Sequence, residues 1–382
     1  MPDMETSGLR PIRVAFLGLA HLHAYSYKLL FGYLPAVHVV AAAEADETLL
    51  DAFTRVFHLR GYSDWRTLLD REAIDLAVLF LPHADCPEAA VSCAERGIHI
   101  LAEKPMAADS AGIRLMIDAA RRSGVVLSTP YVWRYHPVSI ALRDLVRAGS
   151  LGEIFGGRGL CAAGGAQRYV QGGAGWMLRK ARSGGGAMHN LGVHWIDLFH
   201  WLLEDEVVEV TGRSIHFSAE HDVEDAALAL IAFAGGAVLT LDVSYSVPDG
   251  FPGGREIYVA LRGRKGFATW RPSLQERKQI LFVCRDAEGQ PAGLQEIEHL
   301  YPLQPGYAGW CGMSFLADFI GAIRQGCAPA ITGTDALRAL EVVEAIYRSA
   351  ESGTAIRLAA GGLTASCSRQ GTLSPPRDKP QN

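Results

Sequence analysis

The chain lacks any uninterrupted apolar run of about 18 residues, which excludes a membrane-spanning helix of ordinary length. Its first ten residues also lack the apolar stretch of a secretory leader. There is no Cys-x-x-Cys pair, and the seven cysteines (86, 93, 161, 284, 311, 327 and 367) are odd in number. That pattern points to reduced thiols in a cytoplasmic protein and not to a disulfide framework. A basic excess is missing as well: 36 basic against 41 acidic side chains leave a net charge of −5. A dedicated nucleic-acid binder, which needs a basic surface, is thereby disfavoured. No internal repeat is present. What the chain does have is 382 residues, 49% of them apolar and 20% charged, enough for two or three domains with real cores.

Residues 12–17 read as a short buried strand running into Gly18, with a helical pattern behind it to about Leu30. A second strand over 38–43 ends at Glu44; 46–58 is helical and 65–70 adds one short turn. The continuous apolar run 75–81 ends at Pro82, as a strand covered on both faces does. Helix 87–96 stops at Gly97, strand 99–102 follows, then helix 110–123 capped by Gly124 and strand 125–127. Strands alternating with helices predict a parallel sheet with helices on both faces over residues 11–130.

Beyond Tyr131 the pattern changes. Helices are expected over 138–148 and 187–203, with a glycine-rich stretch, 149–186, between them. Alternating runs over 207–285 predict consecutive antiparallel strands, and helices over 314–324 and 334–352 close the chain. The expectation is an α+β domain with an open, mostly antiparallel sheet over 131–360, and a disordered Ser/Pro-rich tail over 361–382.

The turn Gly18-Leu19-Ala20-His21-Leu22-His23 joins the first strand to the first helix, where helix N-terminal amides hold a dinucleotide's pyrophosphate. Only the first glycine of G-x-G-x-x-G is kept; Ala20 and His23 replace the others. Glu44, ending the second strand, is placed to bond ribose hydroxyls and repel a 2′-phosphate, which favours NAD over NADP. Glu103-Lys104-Pro105 ends the fourth expected strand on the side where open α/β sheets bind ligands. In Ser183-Gly184-Gly185-Gly186-Ala187-Met188-His189-Asn190-Leu191-Gly192-Val193-His194-Trp195-Ile196-Asp197, helical spacing puts Asn190, His194 and Asp197 at i, i+4 and i+7, one polar stripe on an apolar cylinder. The three glycines allow close approach of a ligand or of another backbone. No cysteine or histidine set has the spacing of a zinc site, so no metal is expected.

These motifs, with Trp133-Arg134-Tyr135-His136-Pro137 and Ile331-Thr332-Gly333, resemble the Gfo/Idh/MocA oxidoreductases over about residues 11–358. The resemblance implies a Rossmann domain joined to an open-sheet domain, and hydride exchange between NAD(P) and a secondary hydroxyl of a sugar, nucleotide sugar or cyclitol. It also implies a homodimer or homotetramer formed through the C-terminal sheet. Lys104 matches the family's lysine beside nicotinamide and the reacting oxygen, His194 its catalytic histidine, and Arg134 an arginine close to cofactor and substrate. The implied cofactor set is Gly18, Leu19, Ala20, His21, Leu22, Glu44, Leu81, Pro82, Glu103, Lys104 and Arg134. Substrate contacts are expected from Lys104, Arg134, Trp176, Arg179, Asn190 and His194. Three departures stand out: Asn190 where aspartate is frequent, Pro82-His83-Ala84-Asp85-Cys86 where the family has Pro-Asn-x-x-His, and the degenerate glycine loop at Gly18–His23. Asparagine accepts no proton at neutral pH, so His194 is the expected base, with an ordinary pKa near 6.5, and Asn190 orients Lys104 or substrate. A non-catalytic binder of NAD or sugar, and an NAD-dependent glycosidase working by transient oxidation, are the alternative readings.

Cofactor choice gives the first test. NAD should outcompete NADP clearly in binding, and Glu44→Ser with Ala45→Arg should narrow or reverse that preference by removing a repelling charge and adding a phosphate partner. Equal wild-type affinity for both dinucleotides would contradict it.

Overall fold

Apolar runs without alternation require cover on both faces, and those of the first 130 residues receive it in a single parallel sheet. The computed structural model describes residues 10–358, apart from 249, 274–275 and 288–289; the expected tail over 361–382 lies outside the described residues. The sheet contains β1 (Ile12–Leu17), β2 (Val37–Ala43), β3 (Arg60–Tyr62), β4 (Leu76–Leu79), β5 (His99–Ala102) and β6 (Leu127–Ser128). Its order is β3-β2-β1-β4-β5-β6, all neighbours parallel. The strand order reverses direction between β1 and β4, and the crevice for a dinucleotide opens beyond their carboxyl ends. Helices α1 (Ala24–Phe31), α2 (Glu47–Phe57), α3 (Trp65–Arg71), α4 (Cys86–Glu95) and α5 (Ser110–Ser123) supply the cover. Local chemistry sets their ends: the Asp46 carboxylate accepts from the Thr48 and Leu49 amides at the start of α2, and Gly124, at φ +67°, closes α5. The three-residue strand β3 was not foreseen, being too short and too polar to show an apolar run.

The second half contains α6 (Pro137–Arg147), β7 (Ile154–Ala163), α7 (Gln167–Gln171), α8 (Lys180–Ser183) and α9 (Val193–Leu203). Strands β8 (Val207–Ile215), β9 (Ala226–Phe233), β10 (Val238–Ser244), β11 (Arg255–Gly263), β12 (Gly266–Trp270), β13 (Lys278–Ala287) and β14 (Gln290–Leu300) follow. Helices α10 (Gly309–Gln325) and α11 (Gly333–Ser352) and the short strand β15 (Ile356–Arg357) complete it. The nine-stranded sheet runs β14-β13-β12-β11-β7-β10-β9-β8-β15, antiparallel throughout except for the β7–β10 pair.

The glycine-rich stretch is therefore not loop alone. Its first part is the central strand β7, and its glycines are small because other groups fill their side-chain space. A Cβ on Gly159 would stand 2.9 Å from the Phe199 ring of α9, and one on Gly157 would stand 2.7 Å from the Ala260 carbonyl oxygen. Helix 187–203 is likewise divided: residues Met188–Gly192 form a π-helical turn before α9 begins.

The chain knits the two sheets together repeatedly. Helix α11 packs on α5 and on β8, the Glu344 carboxylate accepts from the Ser110 amide and hydroxyl at 2.7 Å each, and Ser128 Oγ donates to the Ile331 carbonyl at 2.7 Å. Helix α10 packs on α1, with Arg324 donating to the Pro35 carbonyl at 2.9 Å. No described helix is long and apolar enough to cross a membrane.

Beneath α9 lies a buried ion network. Arg134 donates through Nε to Asp197 Oδ2 at 2.9 Å, through Nη2 to Asp197 Oδ1, and through Nη2 to Asp335 Oδ1 at 2.9 Å. Burial opposes the guanidinium charge, but Asp197 and Asp335 outweigh it and hold the group well above the ordinary arginine range. Asp197→Ala removes one partner of a buried cation and should lower unfolding stability by about 3–5 kcal/mol. Urea midpoints measure this; a loss below about 1 kcal/mol would show that Asp335 alone suffices.

Candidate active site

Strand β5 delivers Glu103 and Lys104 to the crevice, both almost wholly buried (3% and 4% exposed). A buried ammonium requires acceptors, and Lys104 finds two on one residue. Its Nζ donates to Asn190 Oδ1 at 2.7 Å and to the Asn190 carbonyl oxygen at 3.1 Å. Asn190 Nδ2 donates in turn to Tyr169 Oη at 2.6 Å and Tyr245 Oη at 3.1 Å. Arg168 donates to the same Tyr169 hydroxyl at 2.6 Å and lies over both tyrosine rings. Burial draws the Lys104 pKa down to about 8; Glu103 opposes the shift and the Arg168 charge adds to it.

The π-helical turn presents Asn190 to Lys104. It is held by Glu224, whose carboxylate accepts from the Gly186 and Met188 amides at 2.8 Å each and from the Tyr347 hydroxyl at 2.7 Å. The glycines before it meet protein. A Cβ on Gly184 (φ +93°) would stand 2.2 Å from the Ala108 carbonyl oxygen, one on Gly185 2.2 Å from Tyr347 Oη, and one on Gly186 2.1 Å from the Glu224 carbonyl oxygen. The expected polar stripe thus divides: Asn190 faces Lys104, Asp197 faces Arg134, and His194 stands between them in the sequence, partly exposed, its Nδ1 without a hydrogen-bond partner among the described residues. Burial first, and the Lys104 charge next, hold the His194 pKa well below 6.5, a correction to the ordinary value expected.

The dinucleotide turn lies opposite. Gly18, at φ +84°, passes so near β4 that a Cβ would be 2.8 Å from the Leu81 amide nitrogen, so glycine is required there. Leu19, Ala20, His21 and Leu22 complete the turn; Leu81 and Pro82 border it. Glu44 Oε2 accepts from the Leu19 and Ala20 amides at 2.7 and 3.1 Å, tying the end of β2 to the turn. Strand order, the Gly18 approach and the Glu44 carboxylate fit an adenine dinucleotide.

His83 and its neighbours build the seam between the halves. His83 Nδ1 pairs with the Ser183 carbonyl at 2.7 Å, the Ala84 amide donates to the Arg182 carbonyl at 3.0 Å, and Asp85 pairs with Arg182. Burial pushes the His83 pKa down to about 4, so it works as a neutral hydrogen-bonding group. Trp176 Nε1 donates to the Ala20 carbonyl at 2.6 Å and lays the indole over the turn, edge-on to His83. Arg179 is exposed at the start of α8.

The Arg134 guanidinium is committed to Asp197 and Asp335 beneath the His194 helix. Sequence reasoning missed Tyr169, Tyr245 and Glu224. Nothing in their local spacing marks them, since each meets Asn190 or its turn only through tertiary packing.

Comparison with known proteins bears on this arrangement. Residues 12–131 match the oxidoreductase family, NAD-binding Rossmann fold, and residues 140–269 match the GFO/IDH/MocA C-terminal domain. The chain is 24% identical to levoglucosan dehydrogenase of Pseudarthrobacter phenanthrenivorans, over 91% of this chain and 97% of that protein. It is 26% identical to D-apiose dehydrogenase of Paraburkholderia graminis, over 91% and 88%. The structure of levoglucosan dehydrogenase in complex with NADH and levoglucosan shares its fold with a TM-score of 0.79 at 21% identity, covering 91% of this chain and 99% of that one. With both halves matched in order, the chain belongs to the Gfo/Idh/MocA family of NAD-binding oxidoreductases.

Proposed function

We propose that the chain interconverts a secondary hydroxyl of a sugar, nucleotide sugar or cyclitol with the corresponding ketone. NAD, when bound, supplies the hydride acceptor. The observation that carries this reading is the convergence of Lys104 and Asn190 in one buried contact, with His194 on the same helical segment. His194, neutral at physiological pH, accepts the hydroxyl proton. Lys104 stabilises the alkoxide by charge and hydrogen bonding. Asn190, with no proton to take, fixes the ammonium. Gly18, Leu19, Ala20, His21, Leu22, Glu44, Leu81, Pro82 and Glu103 frame the cofactor, and Trp176 and the exposed Arg179 face substrate. The arginine suits an anionic group such as a nucleotide sugar diphosphate. The sugar dehydrogenases among the relatives support the substrate class.

We also assign the open face of the nine-stranded sheet to a second copy of the chain. Phe267, Val238, Leu230 and Leu228 stand exposed on that face at 39–50%, on rows aligned by the strand register. Sedimentation should show a dimer or tetramer, and Leu230→Lys should dissociate it; a monomeric wild type overturns the assignment.

The pH profile and the order of mutant effects test the catalytic roles. Oxidation should fall on the acid side through a pKa below 6.5, as His194 gains its proton, and on the alkaline side near 8, as Lys104 loses its charge. His194→Ala should reduce turnover by about 10²–10⁴-fold and leave NAD affinity nearly unchanged. Lys104→Met should cripple turnover, remove the alkaline limb and weaken NAD binding, whereas Asn190→Ala should cost less than either. An Asn190 variant as inactive as the His194 variant, or an active His194→Ala enzyme, overturns the roles.

A further inference from the structure

Two histidines, His21 and His23, occupy the dinucleotide turn, and His23 holds the place of the third glycine in the usual pattern. The hydride chemistry gives neither imidazole a task. In the fold they converge with Glu103, which the end of β5 brings to the same point. One donor atom from each of the three side chains lies within 4.8 Å of the other two, and His23 Nδ1 is already 3.0 Å from Glu103 Oε1.

We propose that His21, His23 and Glu103 form a binding site for a first-row divalent cation of the zinc type. Donors at about 2.1 Å from one ion lie roughly 3–4 Å apart, so a small rotation of one ring closes the set. Two imidazole nitrogens and one carboxylate select zinc or a neighbouring transition ion over magnesium or calcium, which take oxygen donors. Three protein ligands leave a position for water or another oxygen donor.

Burial supplies the second argument. His21 is 5% exposed and its Nε2 has no hydrogen-bond partner among the described residues. Glu103 is 3% exposed; the Tyr27 hydroxyl lies beside it, yet neither that hydroxyl nor Glu103 Oε2 makes a hydrogen bond of normal geometry. The adjoining cation, Lys104, directs its ammonium to Asn190, so the buried carboxylate faces imidazoles. A cation here satisfies the orphan nitrogen and the carboxylate together and takes the place of the proton shared by His23 and Glu103. The rings already stand close together: His23 packs 4.2 Å from Tyr307 and 4.7 Å from His21, centre to centre. The His23 side chain, 27% exposed, gives the ion a way in.

The test uses the full-length chain with any affinity tag removed, stripped by chelator and titrated with Co²⁺ alone. One equivalent should bind with visible ligand-field bands and be displaced by Zn²⁺. His23→Gln and Glu103→Gln should each weaken binding at least about 10-fold, with circular dichroism confirming the fold. If Glu103→Gln does not fold, His23→Gln, at the more open position, decides. No stoichiometric uptake by the wild type, or uptake unchanged in His23→Gln, overturns the site. The readout is metal binding, so it stands or falls apart from the dehydrogenase reading.

Discussion

A buried ammonium has to be answered by oxygen, and the centre of this molecule is arranged to answer one. Lys104 reaches the interior from the parallel sheet, and both of its acceptors come from Asn190 in the other half of the chain. Asn190 can offer a carbonyl and a side-chain oxygen to the same nitrogen because it stands in a π-helical turn, where the backbone hydrogen-bond ladder is locally loosened. That turn is steadied by Glu224 and admitted by three glycines pressed against Ala108, Tyr347 and Glu224. Removing any of these displaces the acceptor, and with it the buried ammonium that the acceptor holds.

The departures from the usual motifs acquire a physical reading in the same frame. His83 and Ala84 hold the backbone of Ser183 and Arg182 across the seam, so that loop is an anchor for the glycine segment. Glu44 accepts from two amides of the dinucleotide turn and so shapes the cradle. Arg134 acts one layer beneath, where two carboxylates fix it under the helix that carries His194.

Much of this was legible in the chain itself. Strands 12–17 and 99–102 and helix 110–123 are bounded by signals that act locally: apolar runs, Gly18, Gly97 and the Gly124 cap. That Asn190 orients Lys104 was one of the expectations raised alongside the family resemblance, although the sharing of Asn190 between two tyrosines was not. Strand β7 was hidden because its glycines, which suggest loop, serve the packing of Phe199 and Ala260. Tyr169, Tyr245 and Glu224 were invisible for a related reason: their partners are 21, 55 and 36 or more residues away, and no local pattern encodes such a distance.

The repeated return of the C-terminal helices to the first sheet limits how the molecule can move. Helix α10 is fastened to α1, α11 to α5, and the residue before α11's cap to Ser128, so the halves are joined along several lines and not about one axis. A rigid body tied on non-collinear lines does not swing. Wide opening of the crevice would tear α10 and α11 from their seats. Trp176 adds one more tie across the crevice, lying against His21 and His83 and donating from its indole to the Ala20 carbonyl, so the dinucleotide turn is braced from the second half of the chain as well.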